Sequence, residues 1–477
     1  MKNRSVDLTS GSIVSQLFKL SIPIIGASFM QMAYNLTDMF WLGNLGEDAV
    51  AAVGIAGFFV WFGTSLLLTT RIGAEVGVAQ SVGKGAHSVA KKFMRHSLFW
   101  AVIMSALFAL VTLIFANELI SFFKIEKPFV QSQSVVYLRI VSLSFVFNFV
   151  NPTFSGIYNG MGNSKLPFKY LGVGLLLNIV IDPILIFGFW IIPPMGVAGA
   201  AWATFISQLV VFLIFVFRFI VKKELVDLKL REFKLQWKIT KRIFTLGVPV
   251  AAESALFALF AMVIARFVSN YGAEAIAVQS IGAQIEAISW MTASGFATAL
   301  GSFVGQNYGA KKWHRIKLGF NYTMLIGLVM ALPITLIFMF WGESIYTLFF
   351  SKADLQKLGG IYLMIISVSQ LFMITEITTS GAFNGIGRTV PPSLIGIVFT
   401  GARIPLAYLL MQIEPLGLYG IWIAISASSV VKGTILPIWF WNILRKNSDK
   451  ALKTKRERSL IILLPSRLRQ DWFIIKK

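Results

Sequence analysis

The segment FSGIYNGMGNSKLP at residues 154–167 returns as TSGAFNGIGRTVPP at 379–392, and this recurrence decides how the chain is organised. Four further pairs keep nearly the same spacing. FKLSIPIIGAS (18–28) recurs as FTLGVPVAAES (244–254), LGEDAVAAVGI (45–55) as YGAEAIAVQSI (271–281), and VAQSVGKG (78–85) as VGQNYGAK (304–311). MGVAGAAWA (195–203) recurs as LGLYGIWIA (416–424). Offsets held between 221 and 226 residues across two halves are the mark of a duplication.

Around these segments the 477 residues are 56% hydrophobic and 13% charged, against about a quarter charged in an average soluble domain. Apolar runs of about 20 residues recur, each long enough to cross a hydrocarbon core of about 30 Å. They are continuous rather than alternating, which excludes a β-barrel. Spans are expected near 18–42, 50–72, 96–116, 132–155, 168–191, 196–219, 243–269, 276–303, 318–341, 359–383, 393–411 and 417–443. Six spans return a chain to its starting side, so the two halves run parallel. The expected fold is an all-α integral membrane protein, twelve transmembrane helices arranged as two pseudo-symmetric six-helix lobes. The lobes cover 1–220 and 243–445, with a cytoplasmic linker at 221–242 and a basic cytoplasmic tail at 446–477.

Cysteine is absent, which removes disulfides and thiolate metal sites. The polar start MKNRSVDLTSGSIVSQLFKL shows no cleavage site and reads as a cytoplasmic tail, not a signal peptide. The net charge of +22 concentrates in the tails and even-numbered loops. By the positive-inside rule both termini are then cytoplasmic, and the charge meets anionic membrane lipid, not nucleic acid. The three histidines, His87, His96 and His314, fall in or beside cytoplasmic loops and read as surface residues. The linker reads as a solvated connection with an amphipathic surface helix. The tail, with IILL and WFII, reads as a surface-lying helix or as disorder.

A carboxylate inside a span costs about 2.5–3.5 kcal/mol on insertion scales, so Asp38 in QMAYNLTDMFWL (31–42) demands a reason. Gln31, Tyr34, Asn35 and Asp38 recur at spacings of three and four and share one helix face. In the fifth span Asn178 and Asp182 lie four apart, with Pro183 freeing a backbone carbonyl beside them. Thr204 follows in the sixth. Two carboxylates, an amide and a hydroxyl suit a hard cation such as Na⁺ and equally suit a proton. At the repeat offsets Asp38 maps to Ile264, Asn178 to Arg403 and Asp182 to Ala407, so the scaffold does not require the acids. The alternative role is a polar knot that joins helices. Glu253, Arg266, Glu286, Glu376 and Arg403 lie in or near spans of the second half, as internal ion pairs or as a second site. Phosphate-cradling glycine loops and Walker motifs are missing, which leaves an ion gradient as the energy source.

The twelve spans, the parallel halves, the repeated VAQSVGKG/VGQNYGAK and SGIYNGMGNSKLP/SGAFNGIGRTVPP segments, and YNLTDMFWLG resemble the multidrug and toxic compound extrusion (MATE) family over nearly the whole chain before residue 445. The resemblance implies a non-enzymatic antiporter in the cell membrane, needing no cofactor, that exports organic cations in exchange for H⁺ or Na⁺. One branch, archaeal members included, carries its ion site in the N-terminal lobe. Its ion-site residues match Asp38, Asn178, Asp182 and Thr204, and its lobe-lining polar positions fall on Gln31, Tyr34, Tyr137 and Asn151. If the ion is Na⁺, Asp38, Asn178 and Asp182 are its ligands. Another branch uses acids on the seventh and tenth helices, where this chain has Glu253 and Glu376. The expected form is a monomer in contact with lipid and small-molecule substrates. The rival within the same superfamily is a lipid-linked oligosaccharide flippase, which would favour cationic residues such as Arg266 and Arg403. A membrane enzyme lacks a nucleophile or metal cluster here, and a channel has less use for a doubled chain with buried acids.

Overall fold

The computed structural model describes residues 6–221 and 233–463, with side chains for 6–219 and 233–447. In hydrocarbon an unpaired backbone amide costs several kcal/mol, so apolar runs of this length close their hydrogen bonds as helices. The first half contains α1 (Ile13–Gly43), α2 (Glu47–Gly83), α3 (His87–Ile114), the short α4 (Ala116–Ser121), α5 (Pro128–Gly160), α6 (Lys165–Phe187) and α7 (Val197–Val221). The second contains α8 (Trp237–Ser269), α9 (Ala273–Gly309), α10 (Trp313–Tyr346), α11 (Ala353–Gly385), α12 (Val390–Gly401), α13 (Arg403–Leu410) and α14 (Gly417–Leu463). Twelve segments are long and apolar enough to cross a membrane, α12 and α13 together forming the eleventh.

That eleventh span was expected to be continuous. It breaks between Gly401 and Arg403 because Pro405 has no N–H for the Gly401 carbonyl and its ring crowds that oxygen. α2 runs on to Gly83, eleven residues beyond the expected end at 72. α8 begins inside the expected linker and α14 continues into the expected tail. Residues 222–232 of the linker and 464–477 of the tail lie outside the described residues.

The repeated segment at 154–167 and 379–392 is one helix ending built twice. Gly162 (φ 82°) and Gly387 (φ 75°) hold the left-handed conformation that stops α5 and α11. Gly162 N–H donates to Asn159 O at 2.8 Å and Gly387 N–H to Asn384 O at 2.8 Å.

The halves are interlaced. The first turns of α1, with Leu17, Leu20 and Ile24, share an apolar cluster with Phe303, Phe320 and Phe383 of the second half. Ile243 at the start of α8 sits reciprocally among Leu67, Phe93 and Phe154 of the first. Polar contacts reinforce this seam. The Ser65 and Ser254 hydroxyls lie 3.0 Å apart, Ser302 Oγ donates to Glu75 Oε1 at 3.0 Å, and Trp100 Nε1 donates to Thr240 Oγ1 at 3.1 Å. Described hydrogen bonds between the halves run from the level of Ser65 and Ser254 toward the end of the molecule that carries the N-terminal segment. A cavity of about 840 Å³ lies between α2 and the second half, lined from Trp61 and Phe257 to Glu75, Gly301 and Asn384.

Small residues let the backbones approach this closely. A Cβ at Gly156 would lie 2.7 Å from Arg71 O, and one at Gly381 would overlap the carbonyl of Ala297, whereas Gly54 has nothing within 4 Å. Gly156→Leu and Gly381→Leu should each destabilise the protein by about 1–3 kcal/mol through overpacking. In a detergent melting experiment both should lower the midpoint while Gly54→Leu leaves it near wild type.

Candidate functional site

α1 carries Tyr34 and Asp38 on one face, and α6 carries Asn178 and Asp182 one turn apart. Helix packing brings these faces together with Tyr137 of α5 and Thr204 of α7. Asn178 and Asp182 are fully buried, and Tyr34 and Tyr137 are each 7% exposed. Asn178 Nδ2 donates to Asp182 Oδ1 at 3.0 Å. Asp38 faces both of these residues, Tyr34 faces Thr204, and Tyr137 stands beside the two carboxylates.

The site is defined by what these groups do not bond. Tyr34 Oη, Asp38 Oδ1, Asn178 Oδ1, Asp182 Oδ2 and Thr204 Oγ1 are all buried with no hydrogen-bond partner. Buried polar atoms are normally paired, so five unpaired oxygens in one place form a site that wants a proton or a cation. Among the described residues no three His, Asp or Glu gather as a metal cluster. The donor set is carboxylate, amide and hydroxyl oxygen, which fits a hard monovalent ion better than a transition metal.

Two of the sequence candidates stand apart. Asn151 is buried but donates to Gln208 O at 3.0 Å and to Gln208 Oε1 at 3.2 Å. Gln31 is exposed, and its Nε2 lies 3.5 Å from Asn35 Oδ1.

The 840 Å³ cavity is a separate feature, built mainly from the second half with α2 as one wall. Trp61, Phe257, Phe260 and Trp290 supply aromatic surface, and Glu75, Glu253, Glu286 and Glu376 supply carboxylates. Most of these acids have partners. Lys432 Nζ pairs with Glu376 Oε1 at 2.8 Å, both side chains nearly buried. Tyr362 Oη and Gln370 Nε2 donate to Glu286. Glu253 occupies the space that the missing side chain of Gly396 leaves free. Arg403, which takes the repeat position of Asn178, donates to the hydroxyls of Ser428 and Ser429.

Glu75 escaped the sequence reading because the second span was ended at residue 72. The signal was available: Gly73 and Gly77 recur at the four-residue spacing of close helix packing, on a stretch with Glu75 between them. His96 was read as a surface residue, and the structure corrects this. It is 2% exposed, its Nε2 accepts the backbone N–H of Gln236 at 2.8 Å, and its ring packs on Phe233 at the described end of the linker.

A family model described as MatE matches residues 23–184 and 249–409, one stretch in each half. This chain belongs to the MatE family. It is 27% identical over 447 residues to the probable multidrug resistance protein NorM of Thermotoga maritima, covering 94% of this chain and 95% of that one. It is 22% identical over 423 residues to the multidrug export protein MepA of Staphylococcus aureus, covering 88% and 91%. Among solved structures, a MOP superfamily transporter from Pyrococcus furiosus superposes with a TM-score of 0.86 at 24% identity, over 92% of this chain and 98% of that one. MatE members are transporters rather than enzymes, which disposes of the membrane-enzyme rival.

Removing one partner of a buried ion pair strands the other. Glu376→Gln should therefore cost about 3–5 kcal/mol, read as a lowered unfolding midpoint in detergent. Replacing both Glu376 and Lys432 by Met should recover most of that loss.

Proposed function

We propose that this MatE member is a multidrug exporter of the cell membrane: a secondary antiporter that moves organic cations outward in exchange for H⁺ or Na⁺. The observation that carries this reading is the cluster of five unpaired buried oxygens around Asp38 and Asp182. Oriented by the basic loops, the side bearing the N-terminal segment, where the halves are hydrogen-bonded together, is cytoplasmic. The named relatives are multidrug proteins, which favours drugs over lipid-linked sugars as substrate.

Asp38 and Asp182 take up the coupling ion from outside. Asn178 holds Asp182 by its amide N–H and turns its own oxygen to the ion. Tyr34 and Thr204 complete the oxygen set. Transmission is physical: α1 has Asp38 in the first half, while its first turns are seated in the core of the second. An ion that draws α1 toward α6 and α7 therefore alters the seam between the halves. The substrate occupies the cavity, where aromatic faces and carboxylates suit a flat organic cation. Ion and substrate need to differ in their preference for the two conformations by only a few kcal/mol.

The test is gradient-driven uptake of a fluorescent organic cation into liposomes, with imposed Na⁺ and H⁺ gradients compared. Asp38→Asn and Asp182→Asn should each abolish gradient-driven transport while the folded protein survives purification. Transport at wild-type rates in both variants would show the carboxylates to be structural. Loss of transport with only one of the two gradients names the ion.

A further inference from the structure

The duplicated VAQSVGKG/VGQNYGAK and SGIYNGMG/SGAFNGIG motifs lie outside the ion site, and of their residues only Ser380, Gly381 and Asn384 touch the cavity wall. In three dimensions they meet across the seam, crosswise. Gln80 of α2 donates from Nε2 to the carbonyl of Gly385 at 2.9 Å. Its repeat counterpart, Gln306 of α9, donates from Nε2 to the carbonyl of Gly160 at 3.1 Å. Gly160 and Gly385 are the last residues of α5 and α11. The final four carbonyls of a helix have no partner within it. Each half thus caps a helix end of the other with one glutamine.

The backbones around this exchange are equally reciprocal. A Cβ at Gly83 would overlap the carbonyl oxygen of Gln306, and a Cβ at Gly309 would overlap that of Gln80. These glycines are what allow α2 and α9 to touch at this level.

One glutamine does more than the other. Gln306 is fully buried, and its Oε1 accepts the backbone N–H of Leu8 at 3.0 Å. Leu8 is itself 1% exposed, its carbonyl accepts from Asn307 Nδ2 at 3.0 Å, and Val6 N–H donates to Met161 O at 2.9 Å. Lys312 and Arg315 hold the carbonyls of Thr9 and Gly11 at 2.7 and 2.9 Å. The N-terminal segment is a strap laid across both halves and tied to Gln306.

We infer that Gln80 and Gln306 form the cytoplasmic gate of this transporter: a crossed pair of positioning residues that keeps the inner side shut, with the N-terminal strap fastened to the Gln306 arm. The inference rests on the proposed antiport between two conformations. When the halves part on this side, both helix-end carbonyls exchange glutamine for water and the strap loses its anchor. A single hydrogen bond shifts an equilibrium about fivefold, and Gln306 carries two. The gate is therefore lopsided, with the Gln306 arm the stronger.

The absence of native cysteine makes the gate directly measurable. Ser88 and His314 are exposed counterparts at the starts of α3 and α10, so Ser88→Cys with His314→Cys accepts a spin-label pair that spans the cytoplasmic side. Pulsed distance measurement in nanodiscs reads the fraction of separated halves without substrate or ion. Gln80→Met should raise the separated-to-closed ratio about fivefold. Gln306→Met should raise it further, and deletion of residues 2–11 should reproduce part of the Gln306 effect. Gln306→Glu keeps the acceptor for Leu8 but sets a buried carboxylate against the Gly160 carbonyl, which the separated state can hydrate, so it should raise the ratio at least as far as Gln306→Met. This variant also serves if the methionine variant does not fold. Wild-type distance distributions in folded Gln80→Met and Gln306→Glu proteins would overturn the gate. Because the readout needs no transport, failure of the liposome assay would remove the antiport reading and leave this result standing or falling on its own.

Discussion

The structure depends on one seam. In lipid there is no hydrophobic force between helices, so two six-helix bundles stay together only through close backbone approach and buried hydrogen bonds. Here both are concentrated on one side, where α2 lies on α8 and α9 and the first turns of α1 and α8 seat in the opposite half's core. Helices that cross the seam cannot move with one half without straining the other. That arrangement links the buried oxygens near Asp38 to the contact between the halves through a single helix.

The duplication preserved the scaffold and let the chemistry diverge. Asp38, Asn178 and Asp182 have Ile264, Arg403 and Ala407 as their counterparts, and the second half balances its acids with Lys432 and Arg403. Carboxylates beside fixed cations are already compensated and have little left to offer a mobile ion. The first-half pair has no such partner within its cluster, so its unpaired oxygens are the ones available. Asymmetry extends to the turns. Where the first half places Gly85 at φ 70°, the second holds Lys311 at φ 58°, a conformation that costs a side chain steric energy.

Much of this was legible in advance. Twelve apolar runs had to be helices, and constant offsets had to be a repeat. The four-residue spacing of Tyr34 with Asp38 and of Asn178 with Asp182 placed each pair on one face before any packing was known. What failed was local in a different sense. The end of α2 was misjudged because Arg71 and Glu75 resemble an interface, although Gly73 packs the helix on Ile243 at the seam and Gly77 packs it on Phe93 of α3. His96 looks like a loop residue until the chain beyond residue 232 folds back over it. Asn151, expected to line the lobe, gives its amide N–H to Gln208 and leaves its Oδ1 buried and unpaired, a pairing no pattern within α5 foretells.

By itself, then, the sequence determined the class of structure, the parallel duplication and the divergence of Asp38, Asn178 and Asp182 from their repeat counterparts. Those properties follow from hydropathy, period and charge, which the solvent imposes on each segment separately. Only the tertiary structure decided on which side the halves touch, which carboxylates receive partners, and that Gln80 and Gln306 reach across to each other's helix ends. The reason is geometric. Each of these facts concerns atoms distant along the chain, and their separation is set by how side chains of many helices pack together rather than by the pattern within any one of them.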